Sequence, residues 1–317
     1  MYRNRIASRV KLALVAFCVY LVMLSENGQS LMRRALSLAE SQLALYRSDG
    51  HKQISREFKV AYVHIPKTGG STIERSALFQ EKIKETGVRP SSHWTVEELY
   101  ANATERELDG DFLTATTVRE PCERFISAFQ YLKDDSRAQQ VREYVERYHI
   151  DRFDNVDQYV HFLEETPEMW GRLKNFFHFT PMDQYVMRND ETFGVDVVMC
   201  QEHWNEGVER LFQHLERPVP ADALTVFRAN NKRTTHCIDL LPKTRQALLR
   251  EYAMDYCLFG YGLRYKAPGI RRDQCIGSQM DRTAFTMRHQ YCSLQIELDE
   301  REYERQRQQQ KQQDAVA

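Results

Sequence analysis

Three runs rich in apolar and β-branched residues, Lys59 to Ile65, Phe112 to Val118 and Asp196 to Cys200, each give way at once to polar or Gly-rich positions and then to a helical pattern. Runs of this length bounded by turn residues read as strands. The helices expected after them cover Ser71 to Lys84, a stretch opening at Pro121, and Glu206 to Leu215; Lys243 to Tyr256 is the last strong one. Thr95 followed by Glu98 reads as a capping box that opens one more helix. Between Val141 and Leu173 charged and aromatic residues alternate at helical period, which predicts a largely helical insertion. Strand, turn and helix in repeated succession predict an α/β fold with a central, mainly parallel sheet flanked by helices.

Outside that pattern the chain changes character twice. Arg3, Arg5, Arg9 and Lys11 precede an apolar run from Leu12 to Leu24, short for a span but suited to a short anchor or a signal-peptide core. Ser25 to Ser30 offers no small-x-small cleavage site, so a retained anchor over 12–24 is expected, behind a cytosolic tail over 1–11 and ahead of a lumenal remainder. Leu31, Ala35, Leu38, Gln42 and Leu45 recur at helical spacing, which predicts a stem over 25–55 whose helix could self-associate into a homo-oligomer. A globular domain is expected over 56–266. A C-terminal extension over 267–317 ends in a Gln-rich stretch that reads as solvated helix or disorder.

With 42% hydrophobic and 28% charged residues, the 317-residue chain can bury one large core. Its formal net charge of −1 excludes a globally basic coat for nucleic acid, so an anionic partner must be gripped by a local patch. Asn102-Ala103-Thr104 is an N-x-[ST] sequon and agrees with a lumenal domain. Beyond Cys18 stand Cys122, Cys200, Cys237, Cys257, Cys275 and Cys292. One to three disulfides are expected, Cys275 with Cys292 first, whereas Cys122 reads as a buried free thiol. No Cys/His spacing suggests zinc, and no metal is expected.

The first strand runs into His64-Ile65-Pro66-Lys67-Thr68-Gly69-Gly70-Ser71-Thr72. Paired glycines let backbone N–H groups close around an anion, and Lys67 adds a mobile point charge. An ATPase loop places its lysine after the glycines; here it comes first. The second strand ends in Arg119-Glu120-Pro121-Cys122-Glu123-Arg124-Phe125-Ile126-Ser127-Ala128-Phe129. Pro121 suits the first turn of a helix, so Arg119 falls at the carboxyl edge of the sheet, where open α/β folds bind ligands, and Ser127 about two turns into the helix.

The string IPKTGGST resembles the 5′-phosphosulfate loop of sulfotransferases that use 3′-phosphoadenosine 5′-phosphosulfate (PAPS), and R-x-P-x-x-R-x-x-S-x-F resembles their 3′-phosphate element. The likeness is to the membrane-bound, Golgi-type carbohydrate sulfotransferases, in particular the heparan sulfate 2-O and 6-O enzymes, and covers about 58–262. It implies a single P-loop-like domain. PAPS would be the co-substrate, with a glycan or proteoglycan as the acceptor and a type II Golgi membrane location. It also implies Lys67, Thr68, Gly69, Gly70, Ser71 and Thr72 around the 5′-phosphosulfate, and Arg119 and Ser127 on the 3′-phosphate. Asn230 to Thr235 resembles a loop that closes over the nucleotide, making Arg233, Thr234 and Thr235 further ligands.

Sulfuryl transfer needs charge stabilisation on the leaving oxygen, which Lys67 can supply, and a base for the acceptor hydroxyl. His93, in Ser91-Ser92-His93-Trp94-Thr95, resembles the base-bearing segment of the 6-O enzymes; His64, at the strand end, is the rival. An unshifted imidazole near pKa ~6.5 would already suit the task. Tyrosine sulfation is a weaker alternative. A P-loop nucleotide kinase would need a lysine after the glycines and an acid at a strand end for Mg²⁺, and neither is evident; the presence of both Lys67 and His93 argues against a catalytically inactive nucleotide-binding scaffold.

Overall fold

The computed structural model describes residues 53–79, 93–102, 112–134, 139–224, 235–261 and 282–316. All belong to the second of the chain's two units, Lys52–Ala317. The expected tail, anchor and most of the stem, the sequon beyond Asn102, and the positions Arg233, Thr234 and Cys275 lie outside the described residues. Among the described residues no helix is long and apolar enough to cross a membrane.

Four strands form one sheet in chain order: β1 (Ile54–Ser55), β2 (Val60–Val63), β3 (Leu113–Val118) and β4 (Val197–Cys200). β1 joins antiparallel at the edge, and the other pairs are parallel. The expected mainly parallel sheet is therefore present, with the edge strand as an addition. Parallel strands are buried on both faces, and side chains alternate between them. Val60 and Tyr62 of β2 and Val197 and Met199 of β4 enter one core with Ile73, Trp204, Leu211 and Phe212. Ala61, Val63, Val198 and Cys200 enter the opposite core with Val96, Leu99, Tyr185, Phe259 and Phe285.

Two helices follow the strands at the site. α1 (Gly70–Arg75) is much shorter than the pattern to Lys84 suggested. Ser76 is extended, and its hydroxyl turns back to Ile73 O at 2.7 Å, competing with continuation of the helix. The expected box opens α2 (Val96–Asn102): Thr95 N–H donates to Glu98 Oε2 at 3.0 Å and Glu98 N–H to Thr95 Oγ1 at 3.1 Å. α3 (Pro121–Asp134) starts at its proline as expected and packs Phe125 and Phe129 into a third core. That core also takes in Tyr159, Trp170 and Leu173 from the helical insertion and Phe179 just beyond it.

Two expectations about cysteine fail. Cys292 pairs with Cys257, not Cys275, because the helix Arg282–Val316 lies along Ala253–Leu258. Arg288 of that helix donates to Cys257 O at 2.5 and 3.1 Å, and Phe285 stacks on Phe193 with ring centroids 4.1 Å apart. Cys122 is no free thiol: it is bonded to Cys237, brought to it when the segment after the third core's insertion returns to the first turn of α3. Cys200 is disulfide-bonded as well.

Candidate active site

The Gly-rich turn is held in shape by contacts at almost every residue. Lys67 has φ 69° and Gly69 φ 97°, a left-handed conformation that glycine accepts and lysine adopts at a cost of roughly 1–2 kcal/mol. Thr68 is fully buried and its hydroxyl donates to Ile65 O at 2.8 Å, so it closes the turn, and any grip on an anion comes from its N–H. Thr72 is likewise buried. A Cβ on Gly70 would lie 2.3 Å from the ring of His64. That ring cannot retreat, because Nδ1 of His64 lies 2.6 Å from Glu74 Oε1 in a pair that is almost wholly buried. His64 is thereby the packing residue under the turn.

Arg119 ties this turn to the second motif. Its Nη1 donates to Lys67 O at 3.2 Å. Arg124 does the same from within: wholly buried, it donates to Pro66 O at 3.1 Å, His178 O at 3.4 Å and Thr180 O at 2.6 Å. Ser71 and Ser127 are half-buried, and neither hydroxyl bonds another group among the described residues. Tyr131 follows Ser127 by one helical turn, and the Lys67 ammonium rests 3.8 Å from its ring centroid. Arg119 just before α3 and Tyr131 within it both engage Lys67, and Ser127 lies between them at helical spacing.

His93 comes to the same place from the start of α2. Its ring stands edge-on to His64 at 4.6 Å and stacks on Phe177 at 5.0 Å. Burial pushes its pKa well below the ordinary imidazole value; His64 and the positive charges of Lys67 and Arg124 push the same way, and a hydrogen bond to the His64 backbone opposes them. The expectation of an unshifted imidazole is corrected accordingly: in a half-buried pocket beside two cations the neutral ring is favoured. Nδ1 of His93 is buried with no partner among the described residues. His178 shares the pocket, 6.0 Å from His93 and 5.1 Å from Tyr131, and is held neutral for the same reasons.

Thr235 falls near the first turn of α3 through its chain neighbours. Cys237 is bonded to Cys122, and Cys237 N–H donates to Glu123 Oε1 at 2.7 Å. Beyond the expected residues, the sequence reading passed over Arg124, Tyr131, His178 and two acids at strand ends, Glu120 and Glu202. Spacing could have found Tyr131, since it lies four residues beyond Ser127 on the same helix. Glu202 accepts from Glu120 N–H at 2.7 Å and from the Tyr261 hydroxyl at 2.8 Å. Glu120 accepts from Glu123 N–H at 2.6 Å, and burial pushes its carboxyl up to about 7. The Glu202 carboxylate thus ties the end of β4 to that of β3, while the Glu120 carboxylate caps the first turn of α3. Glu120, Cys122 and Cys237 come within 4.8 Å of one another, but their sulfurs are bonded to each other and offer no thiolate.

A family model described as "Sulfotransferase family" matches residues 51–262, about two thirds of the chain. No curated protein and no solved structure matches it.

Proposed function

We propose that this chain, which belongs to the sulfotransferase family, transfers a sulfuryl group from PAPS to a hydroxyl of a glycan or proteoglycan sugar. One observation carries the reading: Arg119 Nη1 reaches Lys67 O at 3.2 Å, so two strand-to-helix turns 52 positions apart in the chain come together, with the His93 imidazole beside them. The N–H groups from Thr68 to Ser71, with the Ser71 hydroxyl, grip the 5′-phosphosulfate, while Thr72 N–H closes the turn on Gly69 O at 2.9 Å. Arg119, Ser127 and the Arg233-Thr234-Thr235 segment take the 3′-phosphate. The Lys67 ammonium leaves Tyr131 for the bridging oxygen and gains most as that oxygen becomes negative, which is transition-state stabilisation. Neutral His93 removes the proton from the acceptor hydroxyl as sulfur is transferred. The family implies PAPS as donor; no residue described here is assigned to a metal.

The acceptor as a glycan and the location as a type II Golgi membrane rest on the resemblance and on the N-terminal apolar run. Disulfide bonding at Cys122, Cys237, Cys257, Cys292 and Cys200 supports an oxidising compartment. Incubation with radiolabelled PAPS and a panel of desulfated glycans tests the reading, and labelled saccharide is the expected product. Nucleotide binding without transfer would make the chain a scaffold, and phosphoryl transfer from ATP would make it a kinase; either sinks the proposal.

A further inference from the structure

Glu123 has no part in the chemistry above, yet it connects more of the donor site than any other carboxylate there. It lies one helical turn from Arg119, and its Oε2 is 3.7 Å from Arg119 Nη2 and 3.6 Å from His236 Nδ1. Its Oε1 accepts from Cys237 N–H at 2.7 Å, and its own N–H donates to Glu120. The residue before it, Cys122, is covalently joined to Cys237. One carboxylate and one disulfide therefore hold two segments, 115 residues apart in sequence, against a single guanidinium.

A negative charge beside an anion site weakens the anion's binding unless it does something that outweighs the repulsion. Arg119 also feels the carboxylates of Glu202 and Glu120. With Nη1 bonded to Lys67 O at 3.2 Å and Nη2 facing Glu123 at 3.7 Å, the guanidinium is approached from two sides. A planar fork oriented in advance loses little freedom when it meets a phosphate.

We propose that Glu123 is the positioning residue of the donor's 3′-phosphate site, orienting Arg119 and pinning the Thr235–Cys237 segment beside it. The inference rests on the sulfotransferase reading. Calorimetric titration of the full chain with 3′-phosphoadenosine 5′-phosphate and, separately, with adenosine 5′-phosphate tests it. Wild type should prefer the 3′-phosphorylated nucleotide. Glu123→Ala should weaken that nucleotide about tenfold while leaving adenosine 5′-phosphate within about twofold, a loss of ~1.4 kcal/mol confined to one phosphate. Glu123→Gln keeps an acceptor for Cys237 N–H but not the charge, and about a threefold loss is expected, which serves if the alanine variant does not fold. In an Arg119→Ala background Glu123→Ala should add less than about twofold, since both act through one group. Equal losses for both nucleotides, additive losses in the double variant, or no loss would overturn the inference while the donor reading stands. A wild type indifferent to the 3′-phosphate overturns the donor reading and this inference with it.

Discussion

At Lys67 one residue serves two ends with opposite demands. Its backbone is left-handed, which favours glycine, while its side chain carries the ammonium that the proposed chemistry needs. Strain of this kind persists where surroundings over-determine it, here through Arg119 on the carbonyl and Tyr131 under the ammonium. Lys67→Ala keeps the backbone conformation and removes the charge, so turnover should fall about 10²–10³-fold with the melting temperature little changed; a fully active variant would take Lys67 out of the mechanism. His93 sets the pH response. A base must be neutral, and a folded pKa below the ordinary value keeps the ring neutral to lower pH. Activity should therefore be complete at neutral pH and lost as pH falls through that lowered value. The acid limb of kcat/KM is expected below ~6.5, and a limb at or above that point would show another group to be the base. The Gly-rich string made Lys67 visible in the sequence and a family resemblance pointed to His93, but the neutrality of His93 comes first from its burial and then from His64, Lys67 and Arg124, which no local pattern brings to it.

Among the elements, α3 carries the most. Its N-terminal proline, its arginine before the first turn and its serine two turns on were all readable from one string of residues. The orientation of that helix against the Gly-rich turn was not, since Arg124 sets it by bonding Pro66, His178 and Thr180 carbonyls that come from distant segments. Removing such a buried cation leaves its carbonyl partners unsatisfied. Arg124→Met should cost on the order of 3–5 kcal/mol and lower the denaturant midpoint accordingly; a midpoint within error of wild type would mean that the three carbonyls find other partners. α1 teaches the converse lesson, because an uninterrupted helical pattern to Lys84 was cut at Ser76 by a hydroxyl that bonds its own preceding turn.

For the molecule as a whole, the disulfides join what the order of the chain separates. Cys122–Cys237 fastens the first turn of α3 to a segment 115 residues later, and Cys257–Cys292 fastens the C-terminal helix to the end of the core. Cross-links that close long loops constrain the unfolded chain most. Cys122→Ser should lower stability by about 2–5 kcal/mol and Cys257→Ser by a similar amount, read from thermal melts without reductant; unchanged melts would mean that packing by itself holds these segments. The amino-acid order by itself determined the three parallel strands, the two strand-to-helix turns and the capping box, because each depends on residues within a few positions of one another. The cysteine partners, the burial that keeps two imidazoles uncharged, the pairing of Glu123 with Arg119 and the docking of the C-terminal helix were decided only by tertiary structure. Each of those is a meeting of segments far apart in the chain, and such meetings depend on how whole elements pack rather than on the residues next in line.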